Sequence, residues 1–369
     1  MKRRKKLSLN IAILFFLFSF RPALALAEVP EGYPAGYKEI VAGAQKEKKL
    51  VVYSTTDSAS AEPLLKDFKA LYPFLQVEYN DMNSTELYNR FISEAAAGAG
   101  SGDLLWSSAM DLQMKLDADG YAQVYESAEI KHLPAWSVGD KKAYGTTLEP
   151  IVIVYNKRLL PADAVPQSHT DLTRLLKEKL QLFNGKTTMY DAEKSGVGFM
   201  LIDQDLLNWP QFWDLAAAFG KSGGKYYTSA GAMMEKVASG EHLLAYNIFG
   251  SYALLRMKKD PSIGMVYPKD YTLGMSRIAF IPKAARNPNA GKLFLDYILS
   301  KRGQNLMANQ SLLHSVRSDV EGQATAATLY KELGSKLKPI PVSKKLLDYL
   351  DEGKRLEVLK RWKQTARTQ

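Results

Sequence analysis

The stretch from Leu50 to Thr56, LVVYSTT, decides the fold, because it shows the pattern on which the rest of the chain is built. Its Leu, Val, Val and Tyr predict a buried β-strand, and its hydroxyl-bearing end predicts a loop. After that loop, one face of a predicted helix carries Leu64, Leu65, Phe68 and Leu71. A strand followed by a helix is the repeating unit of α/β folds.

The same unit recurs in the next segments of the chain. A second strand is predicted at 76–79 (QVEY), and Asn83 with Glu86 three residues later is typical of a capping box that starts a helix. A third strand is predicted at 103–108 (DLLWSS), after a glycine-rich turn. This alternation predicts an α/β protein whose mostly parallel sheets are flanked by helices on both faces.

The N-terminal segment has the order of a secretory leader. Five basic residues at 2–6 precede an apolar run and the small-residue site Ala25-Leu26-Ala27. We expect a cleavable signal peptide at 1–27, because the apolar run from Leu7 to Phe20 is shorter than a membrane helix requires. The chain contains no cysteine, so disulfides, thiol chemistry and a cysteine-linked lipid anchor are excluded. A periplasmic location is predicted.

The chain after the leader is longer than one hydrophobic core usually supports, so two lobes are predicted. The apolar strand from Ile151 to Tyr155 lies where the chain can pass from one lobe to the other. The predicted divisions are a first lobe at 46–149, a second lobe at 150–271, a return to the first lobe at 272–330 and a basic helical tail at 331–369.

The net charge of +10 is concentrated at the two ends of the chain. Six basic residues and no acidic ones lie in the leader: Lys2, Arg3, Arg4, Lys5, Lys6 and Arg21. The tail at 331–369 has eleven Lys or Arg against five Asp or Glu. The body between the ends is therefore slightly acidic, which argues against nucleic acid as a partner, and the tail is interpreted as a solvated surface helix.

Hydroxyl-bearing residues end two of the predicted strands. Thr55 and Thr56 follow the first strand, and Ser107 and Ser108 end the third. In sheets of this class, ligands bind at the carboxyl ends of the strands. Each hydroxyl alone could simply cap the next helix, but their recurrence at equivalent strand ends predicts a crevice for a small polar or anionic solute.

The stretch from Tyr190 to Phe199, YDAEKSGVGF, allows two interpretations. The serine followed by glycine is typical of a plain helix cap that binds nothing. The same residues could also form an anion site, because glycines permit close backbone approach and the first amides of a helix are free to donate. That cradle would consist of Ser195, Gly196, Val197 and Gly198.

Seven segments in order resemble the periplasmic solute-binding proteins of bacterial ABC importers, in the branch that includes ferric-ion-binding and phosphate-ester or phosphonate-binding members. The segments are LVVYSTTD, DLLWSSAMD, LEPIVIVYNK, YDAEKSGVGF, ASGEHLLAYNI, NAGKLFLDYILSKRGQNLM and HSVRSDV. The resemblance implies the two-lobed type II binding-protein fold, with crossing strands between the lobes. It also implies a solute held in the cleft and delivered to an inner-membrane permease.

The resemblance also implies where the cleft residues lie. The YDAEKSGVGF loop would face the cleft from the second lobe, which favours the anion cradle. The threonines and serines at the ends of the first and third strands would face it from the first lobe. Thr147 and Glu149 would lie at the first crossing strand, and Tyr246 is a further candidate.

The solute favoured by these residues is a small phosphorylated or carboxylated anion. The ferric-ion-binding relatives use a tyrosine pair, and here Tyr246 is followed by Asn247 instead. Iron(III) therefore remains an alternative, as a transported ligand and not as a cofactor, because phenolates are the oxygen ligands it would need. Its candidate ligands are Tyr226, Tyr227, Tyr246 and Tyr252. No resident metal or other cofactor is expected.

Two other functional classes are alternatives to a transport receptor. A secreted enzyme would need Asp57, Glu149 or Asp191 as its general acid or base, but none has a paired carboxylate or an activated nucleophile, so a non-enzymatic protein is predicted. A sensor that feeds a signalling protein would keep the same cleft. We expect a monomer.

Overall fold

The computed structural model describes residues 29–367, and the signal peptide predicted at 1–27 lies outside this part of the chain. None of the helices between 29 and 367 is long and apolar enough to cross a bilayer. The strands are β1 (Lys49–Ser54), β2 (Gln76–Asp81), β3 (Leu104–Ser107), β4 (Val138–Gly139), β5 (Ala143–Gly145), β6 (Glu149–Asn156), β7 (Thr187–Tyr190), β8 (Lys225–Tyr227), β9 (Leu244–Phe249), β10 (Ile263–Val266), β11 (Thr272–Met275), β12 (Ile278–Phe280) and β13 (Leu337–Pro339).

The helices alternate with these strands over much of the chain. They are α1 (Tyr37–Glu47), α2 (Ser58–Leu71), α3 (Ser84–Ala96), α4 (Met110–Ala118), α5 (His169–Glu178), α6 (Leu180–Phe183), α7 (Gly196–Asn208), α8 (Phe212–Lys221), α9 (Ala230–Ser239), α10 (Gly250–Lys259), α11 (Pro288–Leu299), α12 (Lys301–Leu306), α13 (Ala326–Leu333) and α14 (Glu352–Ala366). As the sequence predicted, Asn83 caps α3, and its side chain accepts the Glu86 amide at 2.9 Å.

The first lobe is built on a sheet of order β2-β1-β3-β12-β5-β4. β1 runs parallel to both β2 and β3, as expected from the strand-helix repeat, whereas β12 returns antiparallel to β3 and β5. Buried side chains of β1, α2 and α11, among them Val52, Phe68 and Phe294, form its core. The strand ends that carry Thr55 and Ser108 therefore lie side by side.

The second lobe is built on a sheet of order β13-β11-β6-β9-β7-β8, with β10 also paired to β6. β7 is parallel to β8 and β9, and β6 is antiparallel to β9 and β11. Helices α5, α7 and α8 cover it with buried aromatic side chains such as Phe199, Phe212 and Phe219. The two sheets flanked by helices confirm the predicted fold class.

Within 29–367 the chain passes between the sheets three times, and two of these crossings are short segments that lie together. It leaves β5 of the first sheet and enters β6 of the second through 146–148, and it returns from β11 to β12 through 276–277. Strand β6 itself belongs wholly to the second sheet, so the crossing precedes the Ile151–Tyr155 stretch that was expected to make it. Two adjacent crossing segments form the hinge between the lobes.

The basic C-terminal segment is integrated into the fold. β13 pairs with β11 at the edge of the second sheet, and the Val342 amide then donates to the Trp136 carbonyl of the first lobe at 2.8 Å. α14 finally packs along α8, with Trp362 completely buried. The segment at 331–367 therefore supplies a strand and a helix to the second lobe, in addition to a charged outer surface.

Candidate ligand cleft

Between the lobes lies a cavity of about 110 Å³ on which several helices converge. Its lining includes residues at the starts of α2 and α3 from the first lobe and of α7, α9 and α10 from the second. This follows from the sheet topology, since a helix that follows a parallel strand begins at the carboxyl end of that strand. Each helix start carries partial positive charge, so the helices contribute positive potential to the cavity.

The side chains that line the cavity are mainly hydroxyl-bearing, aromatic or acidic. Thr55, Ser84 and Ser108 contribute from the first lobe, and Thr228, Ser229, Tyr190, Phe249 and Tyr252 from the second. Asp57 and Asp81 add two carboxylates, and none of the described lining residues is Lys or Arg. Within the part of the chain that the structure describes, positive potential at the lining therefore comes from the helix starts and from charges behind the cavity wall.

Thr55 and Ser108 form a hydroxyl pair on the first-lobe side. Their side-chain oxygens lie 3.0 Å apart, and the Ser108 amide donates to Thr55 Oγ1 at 2.8 Å. Ser107, by contrast, turns its hydroxyl to the start of α4, where it accepts the Ala109 amide at 3.2 Å. Of these three predicted site residues, Thr55 and Ser108 line the cavity and Ser107 does not.

The YDAEKSGVGF loop lies against the opposite lobe. The Gly196 amide donates to Thr85 Oγ1 and the Val197 amide to Ser84 Oγ, both at 3.1 Å, across the lobe interface. Ser195 is the N-cap of α7, because its Oγ accepts the Gly198 amide at 3.1 Å. Hydroxyls of the other lobe thus satisfy the first two amides of α7, and Ser195 satisfies the third.

The two glycines of this loop are required by close approach. A Cβ at Gly196 would lie 2.7 Å from Leu112 Cδ1 and 3.2 Å from Ser84 Oγ, and both of these side chains belong to the first lobe. A Cβ at Gly198 would lie 2.6 Å from the Cβ of Tyr190. Gly196 therefore lets the lobes meet, whereas Gly198 lets α7 pack against its own strand.

A fully buried ion pair joins the two crossing segments. Arg277 donates to Glu149 through Nε (2.6 Å to Oε1) and through Nη2 (3.1 Å to Oε2). Its Nη1 reaches the Thr56 hydroxyl at 3.1 Å and the Thr55 carbonyl at 3.3 Å. Thr147 completes the group, because its Oγ1 donates to Glu149 Oε1 and accepts the Arg277 amide, each at 3.0 Å. Thr56, Thr147 and Glu149 therefore contact Arg277 and do not line the cavity.

Arg277 was not singled out in the sequence, although a signal was present. It stands in SRIAFIP, at the start of an apolar strand, and a charged residue in such a run needs a buried partner. Burial lowers the pKa of Arg277, but Glu149, Tyr252 and Asp57 together outweigh burial and raise that pKa, so the guanidinium stays charged. Its position, 5.1 Å from the Tyr252 ring centroid and 5.4 Å from that of Phe249, places this charge directly behind the cavity wall.

Tyr252, whose ring is part of this wall, links the lobes through Asp57. Its hydroxyl donates to Asp57 Oδ1 and accepts the Asp57 amide, each at 3.1 Å. Burial raises the pKa of Asp57, and the Arg277 charge partly opposes that shift. Burial also raises the pKa of Tyr252, so its phenol is neutral at physiological pH.

The four tyrosines considered for iron do not come together. Tyr246 lies in the interior of the second lobe, where its hydroxyl donates to Asp205 at 2.8 Å. The Tyr226 hydroxyl donates to the Ala366 carbonyl, and Tyr227 pairs with His242. Tyr252 is the one among the four that lines the cavity, so Tyr246 does not occupy the cleft position expected for it. Within 29–367, no group of three or more His, Cys, Asp or Glu could hold a metal ion.

Asp205 is the centre of a second buried polar network. Besides the Tyr246 hydroxyl, it accepts Asn247 Nδ2 at 2.8 Å and the Tyr271 hydroxyl at 2.7 Å. Asn247 adopts a left-handed backbone conformation, φ 59°, where the β6–β9 pairing shifts register. His169 stacks on Tyr271 with ring centroids 4.1 Å apart. This network stabilises the second lobe and lies apart from the cleft.

The three carboxylates considered for an acid–base site lie in separate bonding groups. Asp57 bonds Tyr252, Glu149 bonds Arg277, and Asp191 is bonded by Arg367 of the C-terminal segment. A general acid and a general base must both lie within reach of the same bound substrate. These contacts do not provide that arrangement.

The comparisons with known proteins agree with this architecture. A family model described as bacterial extracellular solute-binding protein matches residues 63–331. The substrate-binding protein of an ABC transporter from Agrobacterium tumefaciens is 39% identical, covers 86% of this chain and 94% of its own, and superposes with a TM-score of 0.84. Among curated proteins, none matches this chain.

Two more distant structures share the fold. AfuA from Actinobacillus pleuropneumoniae, solved with fructose 6-phosphate bound, is 20% identical with a TM-score of 0.72 and covers 87% of this chain and 99% of its own. Iron-bound HitA from Pseudomonas aeruginosa is 19% identical with a TM-score of 0.68 and covers 86% and 99%. The chain belongs to the bacterial extracellular solute-binding proteins and is a solute-binding receptor of an ABC transporter, a class that works with a membrane permease in the periplasm.

Proposed function

We propose that this receptor captures a small anionic solute, phosphorylated or carboxylated, in the cavity between its lobes and delivers it to an inner-membrane permease. The observation that carries the proposal is the start of α7. Its first turn holds no acidic residue, and the amides of Gly196 and Val197 donate only to neutral hydroxyls of the other lobe. Because a helix start favours negative charge, an anionic oxygen is a stronger partner for these amides than Ser84 or Thr85.

The remaining groups of the cavity suit a solute that carries hydroxyls beside its anionic group. Asp57 and Asp81 would repel a second anion, but carboxylates accept hydrogen bonds from hydroxyl groups. The cavity of about 110 Å³ is also smaller than the pockets of roughly 300 Å³ or more that enclose typical ligands. Binding therefore requires the lobes to separate and to close again around the solute.

The test is a thermal-shift series followed by identification of any co-purified solute. Fructose 6-phosphate, inorganic phosphate, citrate and ferric citrate are added separately to the purified protein. A ligand at about one hundred times its Kd stabilises the native state by about 2.7 kcal/mol, which raises the melting temperature by several degrees. A melting temperature that none of the organic or inorganic anions changes, with no anion in the mass spectrum of the denatured protein, overturns the proposal.

The matched variants are Gly196→Val and Gly36→Val. A side chain at Gly196 would meet Leu112 and Ser84 and so keep the lobes apart, whereas a Cβ at Gly36 meets nothing within 4 Å. We expect Gly196→Val to fold but to lose the ligand-induced shift, and Gly36→Val to retain it. An unchanged ligand-induced shift in Gly196→Val would contradict the role given to the start of α7.

Iron(III) is the alternative solute, because Asp57, Asp81 and Tyr252 are oxygen donors in the cavity lining. The same series separates the two solutes. Iron binding would give a broad visible absorbance band that Tyr252→Phe removes, and near one-to-one iron in the purified protein. A colourless protein that responds to fructose 6-phosphate or phosphate favours the organic anion.

The setting of the proposed function follows the sequence predictions. We expect secretion by the signal peptide at 1–27 and action as a monomer without a resident cofactor. A sensor that passes the bound state to a signalling protein would use the same cleft. Uptake of the identified solute in cells that lack this receptor separates the two roles, because only a transport receptor is needed for uptake.

A further inference from the structure

The C-terminal segment forms ion pairs with the YDAEKSGVGF loop. Arg367 Nη2 lies 2.6 Å from Asp191 Oδ2, and its Nε lies 3.3 Å from Glu193 Oε2. One turn earlier, Lys363 Nζ lies 2.9 Å from the other oxygen of Glu193. The Arg367 guanidinium also lies 5.2 Å from the ring centroid of Tyr226. Two basic residues of α14 and its end thus contact the two acidic residues of the loop.

Asp191 is the residue that shapes this loop. Its carbonyl accepts the Ser195 amide at 2.9 Å and the Lys194 amide at 3.2 Å, and its Oδ1 accepts the Glu193 amide at 2.9 Å. Only the second carboxylate oxygen, Oδ2, is directed to Arg367. Only 5% of the Asp191 side chain is exposed, so little water competes with the Arg367 guanidinium for Oδ2. The direction of this charge-assisted hydrogen bond fixes where the guanidinium lies relative to the turn.

The loop lies between two cavities. Tyr190 and Val197, at its two ends, line the cavity between the lobes. Asp191 and Lys194 instead line a separate cavity of about 370 Å³, together with Arg367. The contact from the C-terminal segment is therefore made on the side of the loop that faces away from the solute.

We propose that Arg367 is a positioning residue for the solute site, which acts through Asp191 to hold the turn at 191–195 and so the first amides of α7. Ser195, the last residue of that turn, caps α7 and sets the direction of the Gly196 and Val197 amides. Hydrogen-bond donors that bind an anion must lie within about 0.5 Å of their correct positions. A loop holds them there only when further residues pack against the loop and bond to it. The effect on solute affinity rests on the proposed function, whereas the effect on the turn does not.

Arg361 supplies the matched control. It lies on the same helix, with its guanidinium 4.6 Å from the ring centroid of Trp213, a residue outside the YDAEKSGVGF loop. Both arginines dock α14 on the second lobe, so a loss of docking alone affects both variants. Of these two arginines, only Arg367 contacts the turn at 191–195.

The first experiment is amide hydrogen exchange of the unliganded wild type, Arg367→Ala and Arg361→Ala, followed in peptides that cover 190–199. We expect exchange there to accelerate on the order of tenfold in Arg367→Ala, because the turn opens locally, and to stay unchanged in Arg361→Ala. Equal exchange in all three proteins overturns the proposal. Because no solute is present, this result does not depend on the proposed function.

The second experiment measures the Kd of fructose 6-phosphate and of inorganic phosphate for the same proteins, with Arg367→Lys and Asp191→Asn. We expect about 5- to 20-fold weaker binding in Arg367→Ala, partial recovery in Arg367→Lys, and no further loss when Asp191→Asn is added to Arg367→Ala. Additive losses in that double variant overturn action through Asp191. The proposed function itself fails only when no anion of the thermal-shift series binds and none co-purifies, and hydrogen exchange then still decides the positioning role.

Discussion

Glu149 and Asp205 are both fully buried carboxyl groups, but the protein stabilises them in opposite ways. Glu149 takes two hydrogen bonds from one charged partner, Arg277, which comes from the other crossing segment. Asp205 takes three hydrogen bonds from neutral donors of its own lobe, and burial raises its pKa. At the hinge, a charged partner stabilises the buried carboxylate. In the second lobe, several weaker hydrogen bonds from neutral groups stabilise the buried carboxyl group.

The largest effect is expected when the hinge pair is broken. Arg277→Met leaves the Glu149 carboxylate buried without its charge partner and should lower the free energy of unfolding by about 3–5 kcal/mol. Urea denaturation measures this loss. The double variant Glu149→Gln with Arg277→Met should recover a large part of it, because no unpaired charge remains. If the double variant is as unstable as the sum of two single variants, the two residues do not act as a pair.

A smaller effect is expected in the neutral network. Tyr271→Phe removes one of the three donors to Asp205 and should cost about 1–2 kcal/mol, because the other two donors remain. Tyr330→Phe is the control, since Tyr330 is an exposed tyrosine of α13. A loss as large as that of Arg277→Met would mean that Asp205 also depends on one dominant partner.

The smallest effect concerns a buried carboxyl with neither kind of support. Asp111, in the first turn of α4, accepts the Leu112 amide through Oδ1, while its Oδ2 has no partner in the part of the chain that the structure describes. Burial raises its pKa to about 7, and Arg355 of α14 only partly opposes this. Asp203 of α7 lies near it, and burial and Asp111 raise the pKa of Asp203 as well.

The sign of the resulting pH dependence follows from the raised pKa. The folded state binds the proton of Asp111 more tightly than the unfolded state, so stability is greatest at low pH and falls as pH rises from about 4 through about 7. Asp111→Asn should therefore raise the melting temperature by about 2 °C or more at pH 8, by a smaller amount at pH 5, and hardly at all below the unfolded pKa of about 4. Scanning calorimetry across this range measures the difference, and an identical pH slope in both proteins would contradict it.

The local parts of the fold were accessible from the sequence. The strands predicted at 50–56, 76–79 and 103–108 were found within two residues at each end, because each has a short apolar run with its own turn signals. Helix α11 begins at Pro288, because proline favours the first position of a helix, and hydrophobic periodicity alone does not reveal such a start.

The positions of Tyr246 and Arg277 could not be obtained in the same way. All six residues of β9 are buried, so no alternation indicates which side of the strand Tyr246 occupies. Arg277 bonds Glu149 because the two crossing segments lie side by side in the fold. These segments are far apart in the sequence, so no local pattern indicates the pair. The tail was interpreted from its charge as a solvated helix, but Trp362 is buried and several arginines lie over aromatic rings. The amino-acid composition of the tail does not indicate which of its side chains pack against the second lobe.

The central place of β12 in the first sheet sets an order for folding. β12 pairs with β3 on one side and with β5 on the other, yet it follows nearly the whole second lobe along the chain. The pairing of β6, β7 and β9 needs only the chain up to Phe249, so the second sheet can begin to form first. Until Phe280 is available, β3 keeps an open edge, and that edge is where association between partly folded chains would begin.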